Sequence, residues 1–128
     1  MVIKIMASSP TMRSALDYND KKVSQGDAEV IQTANIDADL NTFHDTIKRY
    51  EKRNFSSKEL SFHMSVNPSS TERMSEEKVK ELVSDIMEGL GYAKQPYAIY
   101  RHDDIGRVHY HVVSIRTDSN GRKIPSRQ

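Results

Sequence analysis

Two periods alternate along the 128-residue chain. "VIKIM" (2–6) is a short apolar run and reads as a strand. Ser9 can then cap, and Pro10 open, a helix that runs through "TMRSALDYNDKKV" and stops near Gly26. "AEVIQTANI" (28–36) is β-branched in part and reads as a strand or an irregular segment. Leu40, Phe43, Ile47 and Tyr50 recur at helical spacing, with Asp37 placed to cap them. "ELSFHMSVNP" (59–68) alternates strictly, with Phe62, Met64 and Val66 on one face and His63, Ser65 and Asn67 on the other. Ser75 caps a further helix whose Glu76 and Glu77 suit the helix dipole. Its stripe of Val79, Leu82, Val83, Ile86, Met87 and Leu90 closes at Gly91. "YAIYRH" (97–102) and "RVHYHVVSI" (107–115) form a hairpin across "DDIG", and "TDSNGRK" is a turn. Helices and strands mix without strict alternation. The pattern predicts an α+β fold: an antiparallel central sheet with helices mainly on one face and the other partly open.

Length sets a single domain over 1–128, with a modest core. Hydrophobic residues at 36% and charged residues at 29% suit a soluble protein. No apolar run reaches the roughly 20 residues that span a bilayer, and the N-terminal run is too short for a secretory signal. The expectation is a cytoplasmic protein without membrane insertion. With no cysteine, disulfides and thiolate metal sites are excluded, so any metal must be held by His, Asp or Glu. Net charge is +1 but unevenly spread: residues 61–92 carry three Lys/Arg against six Asp/Glu, and residues 93–128 carry seven against three. The basic third is a mild nucleic-acid signal, although ordinary surface charge explains it as well.

That basic third holds "RHDDIGRVHYHVVSIR" (101–116), where three of the five histidines fall within ten residues as H-x-D-x4-H-x-H. On a strand, His109 and His111 share one face, and Val108, Tyr110 and Val112 take the other. His102 ends the preceding strand across the hairpin loop, and cross-strand neighbours lie roughly 5 Å apart. Three imidazoles converging from two strands make an open metal site with coordination positions left for a substrate oxygen. Asp104, in the loop, is expected to accept the second ring N–H of one of them. Histidine-triad nucleotide hydrolases need a third alternating histidine, where this chain has Val113, and two-histidine phosphodiesterases need two His-x-Ser/Thr pairs, of which "HMS" (63–65) is one.

The histidine motif resembles that of relaxases, the mobilisation nucleases of the HUH endonuclease superfamily. "SALDYNDKKV" resembles the N-terminal tyrosine motif of that family, with Tyr18 as nucleophile, and "ELSFHMSVNP" its middle motif. The order of motifs over nearly the whole chain is closest to MobA/MobB-type relaxases of mobilisable elements. The resemblance implies site- and strand-specific nicking at an origin of transfer. Tyr18 would attack the scissile phosphate, giving a 5′-phosphotyrosine and a free 3′ hydroxyl. Asp104 would assist, and His102, His109 and His111 would hold a divalent ion, Mn²⁺ or Zn²⁺ before Mg²⁺ because imidazole donors suit transition metals. A phenol, with an ordinary pKa of about 10, needs such help at neutral pH. Relaxase domains of this kind usually continue past the hairpin, so a missing C-terminal extension is expected.

Arg107 and Arg116 flank the histidine strand and are candidates for phosphate contact. Lys21 and Lys22, with Asn19, are candidates to face DNA, and a solvated helix face explains them equally well. His63 and Ser65 could line the site; His44 reads as a boundary residue. Expected partners are single-stranded origin DNA, other mobilisation proteins and the coupling proteins of type IV secretion. Two alternatives stand beside this reading. One is a non-catalytic, metal-containing DNA-binding module. The other is an HUH replication initiator or transposase, which usually carries its tyrosine after the H-x-H strand; the twelve residues after Arg116 contain none.

Overall fold

A computed structural model describes residues 1–6, 12–53, 59–69, 71–103 and 107–125. The elements are β1 (Val2–Ile5), α1 (Arg13–Ser24), β2 (Ala28–Ala34), α2 (Phe43–Lys52), β3 (Ser61–Asn67), α3 (Glu76–Gly89), β4 (Tyr97–His102) and β5 (His109–Ile115). The five strands form one sheet in the order β1-β3-β5-β4-β2. Every neighbouring pair is antiparallel. The fold is α+β, as the pattern predicts. The expected helix start at Ser9 and Pro10 lies outside the described residues.

Strict alternation gives the sheet two distinct faces. Phe62, Met64, Val66, Tyr97, Ile99, Tyr110 and Val112 pack against Val79, Val83 and Met87 of α3. Ala98, Tyr100, Val113 and Ile115 point the other way and pack under α1 and α2 against Ala15, Leu16, Phe43, Ile47 and Tyr50. Two of three helices thus share one face, but the second face is not open: α3 covers its centre. The reason is that β3, β4 and β5 all turn apolar side chains to that face, and β4 and β5 carry apolar residues on the other face as well. Complete burial of Ile47, Val83 and Ile99 contributes about 1.5–3 kcal/mol each.

Caps explain the helix starts. Ser75 accepts from Lys78 N–H at 3.2 Å, as its position before the apolar stripe suggests. The second helix begins later than Asp37. Asn41 has φ of 66°, a left-handed conformation that interrupts the helix, and Thr42 caps instead, accepting from Asp45 N–H at 3.1 Å. Residues 37–41 form a turn, and the Asp37 carboxylate accepts from Arg49 at 3.1 Å. Gly26, at φ of 79°, ends the first helical segment and turns the chain into β2. β2 is a true strand with one register shift between Val30 and Gln32, the mark of a bulge.

Candidate metal and tyrosine site

The pairing of β4 with β5 puts His102 directly opposite His109. His111 is one step further along the same face, opposite Tyr100 on one side and Ser65 on the other. The three imidazoles are buried, and one nitrogen from each lies within 4.8 Å of the others. Ring centroids are 5.2 Å apart for His102 and His109, 4.3 Å for His102 and His111, and 5.3 Å for His109 and His111. Buried imidazole nitrogens at such separations fit a transition-metal ion, for which zinc–nitrogen bonds of about 2.0–2.1 Å are usual. The three could therefore hold a divalent ion.

Helix α1 crosses this end of the sheet. Its buried side presents Met12, Ala15, Leu16 and Asn19 at helical spacing. Tyr18, one residue to the side of that stripe, stands over the histidines, and 45% of it is exposed. Its ring stacks on His102 with centroids 6.1 Å apart and planes 14° from parallel. His111 and His63 lie at 5.8 and 6.4 Å. The ammonium of Lys22 sits 5.9 Å from the centre of the Tyr18 ring, while Lys21 points to solvent. Beside the phenol a cleft of about 290 Å³ is lined by Met6, Ser14, Ala15, Tyr18, Ser61, His63 and His111. On the far side of the histidines a second groove of about 490 Å³ runs past His109, His111, Ser65, Asn67 and Arg107 to Lys4. His111 thus lines both grooves.

Some expectations change. His63 is more than a lining residue: its Nε2 is 2.7 Å from Nδ1 of His111. Burial holds its pKa below the ordinary imidazole value, so it stays neutral and can accept that hydrogen bond. Ser65 is buried, and its hydroxyl accepts from Asn67. Asn19 does not face DNA; it is fully buried, and its signal was a polar residue on the apolar helix stripe. Arg116 does not share the histidine face. It lies on the opposite sheet face, donates to the Ser61 carbonyl at 2.9 Å and covers the Phe62 ring at 5.3 Å. Side-chain alternation puts residue 116 out of phase with 109 and 111. Asp104 lies outside the described residues. His44 pairs with Asp20 at 2.8 Å and joins α2 to α1, away from the triad.

The His63 shift carries a consequence. The folded pKa lies below the ordinary 6.5, so the unfolded chain takes up the proton first. Stability is kept above pH about 6.5 and falls as pH drops through that value. In metal-free protein, thermal melts at pH 7.5, 6.5 and 5.5 should show Tm falling with pH, and His63→Gln should flatten the slope. Equal slopes in the two proteins would contradict this origin.

A phenol thus stands over a cluster of imidazoles at one end of an antiparallel sheet, beside solvent-open grooves. The chain belongs to the family of MobA/VirD2-like relaxase nuclease domains, whose model matches residues 18–128. The match begins at Tyr18 and takes in all four site histidines. No curated protein matches the chain. It is therefore a DNA-nicking nuclease domain of the relaxase class. Among the described residues, no helix is long and apolar enough to cross a membrane.

Proposed function

We propose that this domain nicks one DNA strand at an origin of transfer by attack of the Tyr18 hydroxyl on the scissile phosphate. One observation carries the choice of nucleophile. Of six tyrosines, Tyr50, Tyr92, Tyr97, Tyr100 and Tyr110 are buried, and Tyr18 alone is exposed while stacked on the histidine cluster. In the reaction Tyr18 Oη forms a bond to phosphorus and its proton passes to solvent. The bond from phosphorus to the 3′ oxygen breaks, and that oxygen takes up a proton to become a free hydroxyl. The 5′ phosphate stays on Tyr18, and reversal of the same step re-seals the strand.

His102, His109 and His111 would hold a divalent ion, Mn²⁺ or Zn²⁺ rather than Mg²⁺, that supplies Lewis-acid stabilisation of the phosphate charge. Lys22, beside the Tyr18 ring, adds a fixed positive charge where phenolate character develops. Arg107, exposed in the groove shared with His109 and His111, would contact a backbone phosphate; Lys21 would add a second basic position on α1. Ser65 and His63 face the same site from β3. The reaction would take place in the cytoplasm, with other mobilisation proteins and type IV secretion coupling proteins as partners.

The test is a covalent one. The protein is incubated with Mn²⁺ and labelled single-stranded oligonucleotides tiling the DNA around its own gene. An SDS-stable adduct should form with one of them, and mass spectrometry should find its 5′ phosphate on the peptide containing "ALDYNDK". Cleavage without an adduct would point to water as the nucleophile and would sink the tyrosine mechanism.

A further inference from the structure

The second residue after Asp17 is the one that the mechanism leaves unused. Asn19 sits next to Tyr18 in sequence, on the buried side of α1, with none of its surface exposed. A fully buried amide must find partners for both of its ends. Its Nδ2 donates to the Ala15 carbonyl at 2.8 Å. A carbonyl can only accept, so this bond fixes which way the amide points. Oδ1 is then turned to the sheet, where it lies 2.8 Å from Nε2 of His102. An amide oxygen also can only accept, so His102 Nε2 must carry the hydrogen. An imidazole nitrogen that donates a hydrogen cannot ligate a metal, and the ligating edge of His102 is therefore its Nδ1 edge.

We infer that Asn19 is a positioning residue: it selects the Nε2–H tautomer of His102 and holds that ring in the ligating pose. The inference rests on the reading of His102, His109 and His111 as a metal site and adds to it the residue that orients one ligand. The same hydrogen bond has a second effect. Asn19 and Tyr18 are consecutive residues of one helix, so pinning Asn19 to His102 also pins the backbone that carries Tyr18. The Tyr18 ring rests on the same imidazole, with centroids 6.1 Å apart. One contact registers the nucleophile against the cluster. Outer hydrogen bonds of this kind are worth about 10–100-fold in metal affinity.

The experiment has a metal-free arm and a metal arm. Long-range ¹H–¹⁵N spectra of metal-free wild-type protein, with His102 assigned through His102→Gln, should show His102 as the Nε2–H tautomer. The Nδ1–H tautomer there would overturn the inference, whatever any variant does. In the metal arm, Co²⁺ alone is titrated and its visible absorption followed. Asn19→Leu, which keeps the volume and removes the acceptor, should weaken Co²⁺ binding about 10–100-fold. Asn19→Asp, whose carboxylate can accept the same N–H, should restore most of the loss. Asn19→Leu binding Co²⁺ as tightly as wild type would overturn the positioning role. His109→Ala serves as the separate control: undiminished Co²⁺ binding there would remove the metal site itself, while the tautomer still judges Asn19.

Discussion

Tyr18→Phe should leave single-strand nicking at background, a loss of at least about 10³-fold, the scale expected when a covalent nucleophile is removed. The variant loses one oxygen. Its ring volume and its stacking on His102 are kept, and at an exposed site no buried hydrogen bond is broken, so the melting temperature should stay within a degree or two. Metal uptake should not change, because the three imidazoles sit on β4 and β5 rather than on α1. No other tyrosine can stand in. Tyr100 is the nearest in register, opposite His111, yet it is buried and its phenol is pushed well above the ordinary range by desolvation. Tyr92 and Tyr97 are raised for the same reason and lie on the α3 face. The assay is a denaturing gel of a labelled oligonucleotide, paired with mass spectrometry for the adduct. Cleavage by the variant at the wild-type rate would remove Tyr18 from the mechanism.

Replacing His109 and His111 together with alanine should abolish both metal retention and nicking. Two of three donors vanish, and a lone imidazole binds a divalent ion too weakly to survive dialysis. Both side chains belong to one end of β5, clear of the Val113 and Ile115 contacts that hold the strand to α1 and α2. The sheet should therefore persist, and far-UV circular dichroism should match the wild type. Elemental analysis after dialysis against Mn²⁺ measures the outcome. Metal content equal to the wild type would place the site elsewhere.

The three-imidazole cluster was legible because a strand repeats every two residues. The spacing H-x-H puts two rings on one face, and a tight hairpin brings His102 across to His109. Both facts depend only on local geometry. The same rule applies to Arg116: the alternation that groups 109 with 111 sends 116 to the other face. The start of α2 escaped because Asp37 is a plausible cap, and nothing in a helical period announces that Asn41 will turn left-handed. The placement of α3 opposite α1 and α2 needed the sheet order, which no single segment encodes. Asn19 is the deepest case. Its spacing from Met12, Ala15 and Leu16 marks it as inward-facing, but its meaning comes from a partner 83 residues away in sequence.

The position of β5 in the sheet has a consequence for how the domain comes into being. It is the last of the five strands in chain order, yet it occupies the middle of the sheet, between β3 and β4. As the chain leaves the ribosome, β3 and β4 emerge with their facing edges unpaired, and neither can close on the other in the native arrangement. The first strand must also wait, since Val2 pairs with Asn67. Contacts of such long sequence separation slow folding, because loop closure must precede them. The strand that closes the ladder also carries His109 and His111. The set of three imidazoles is therefore complete only once β5 has taken its place in the sheet.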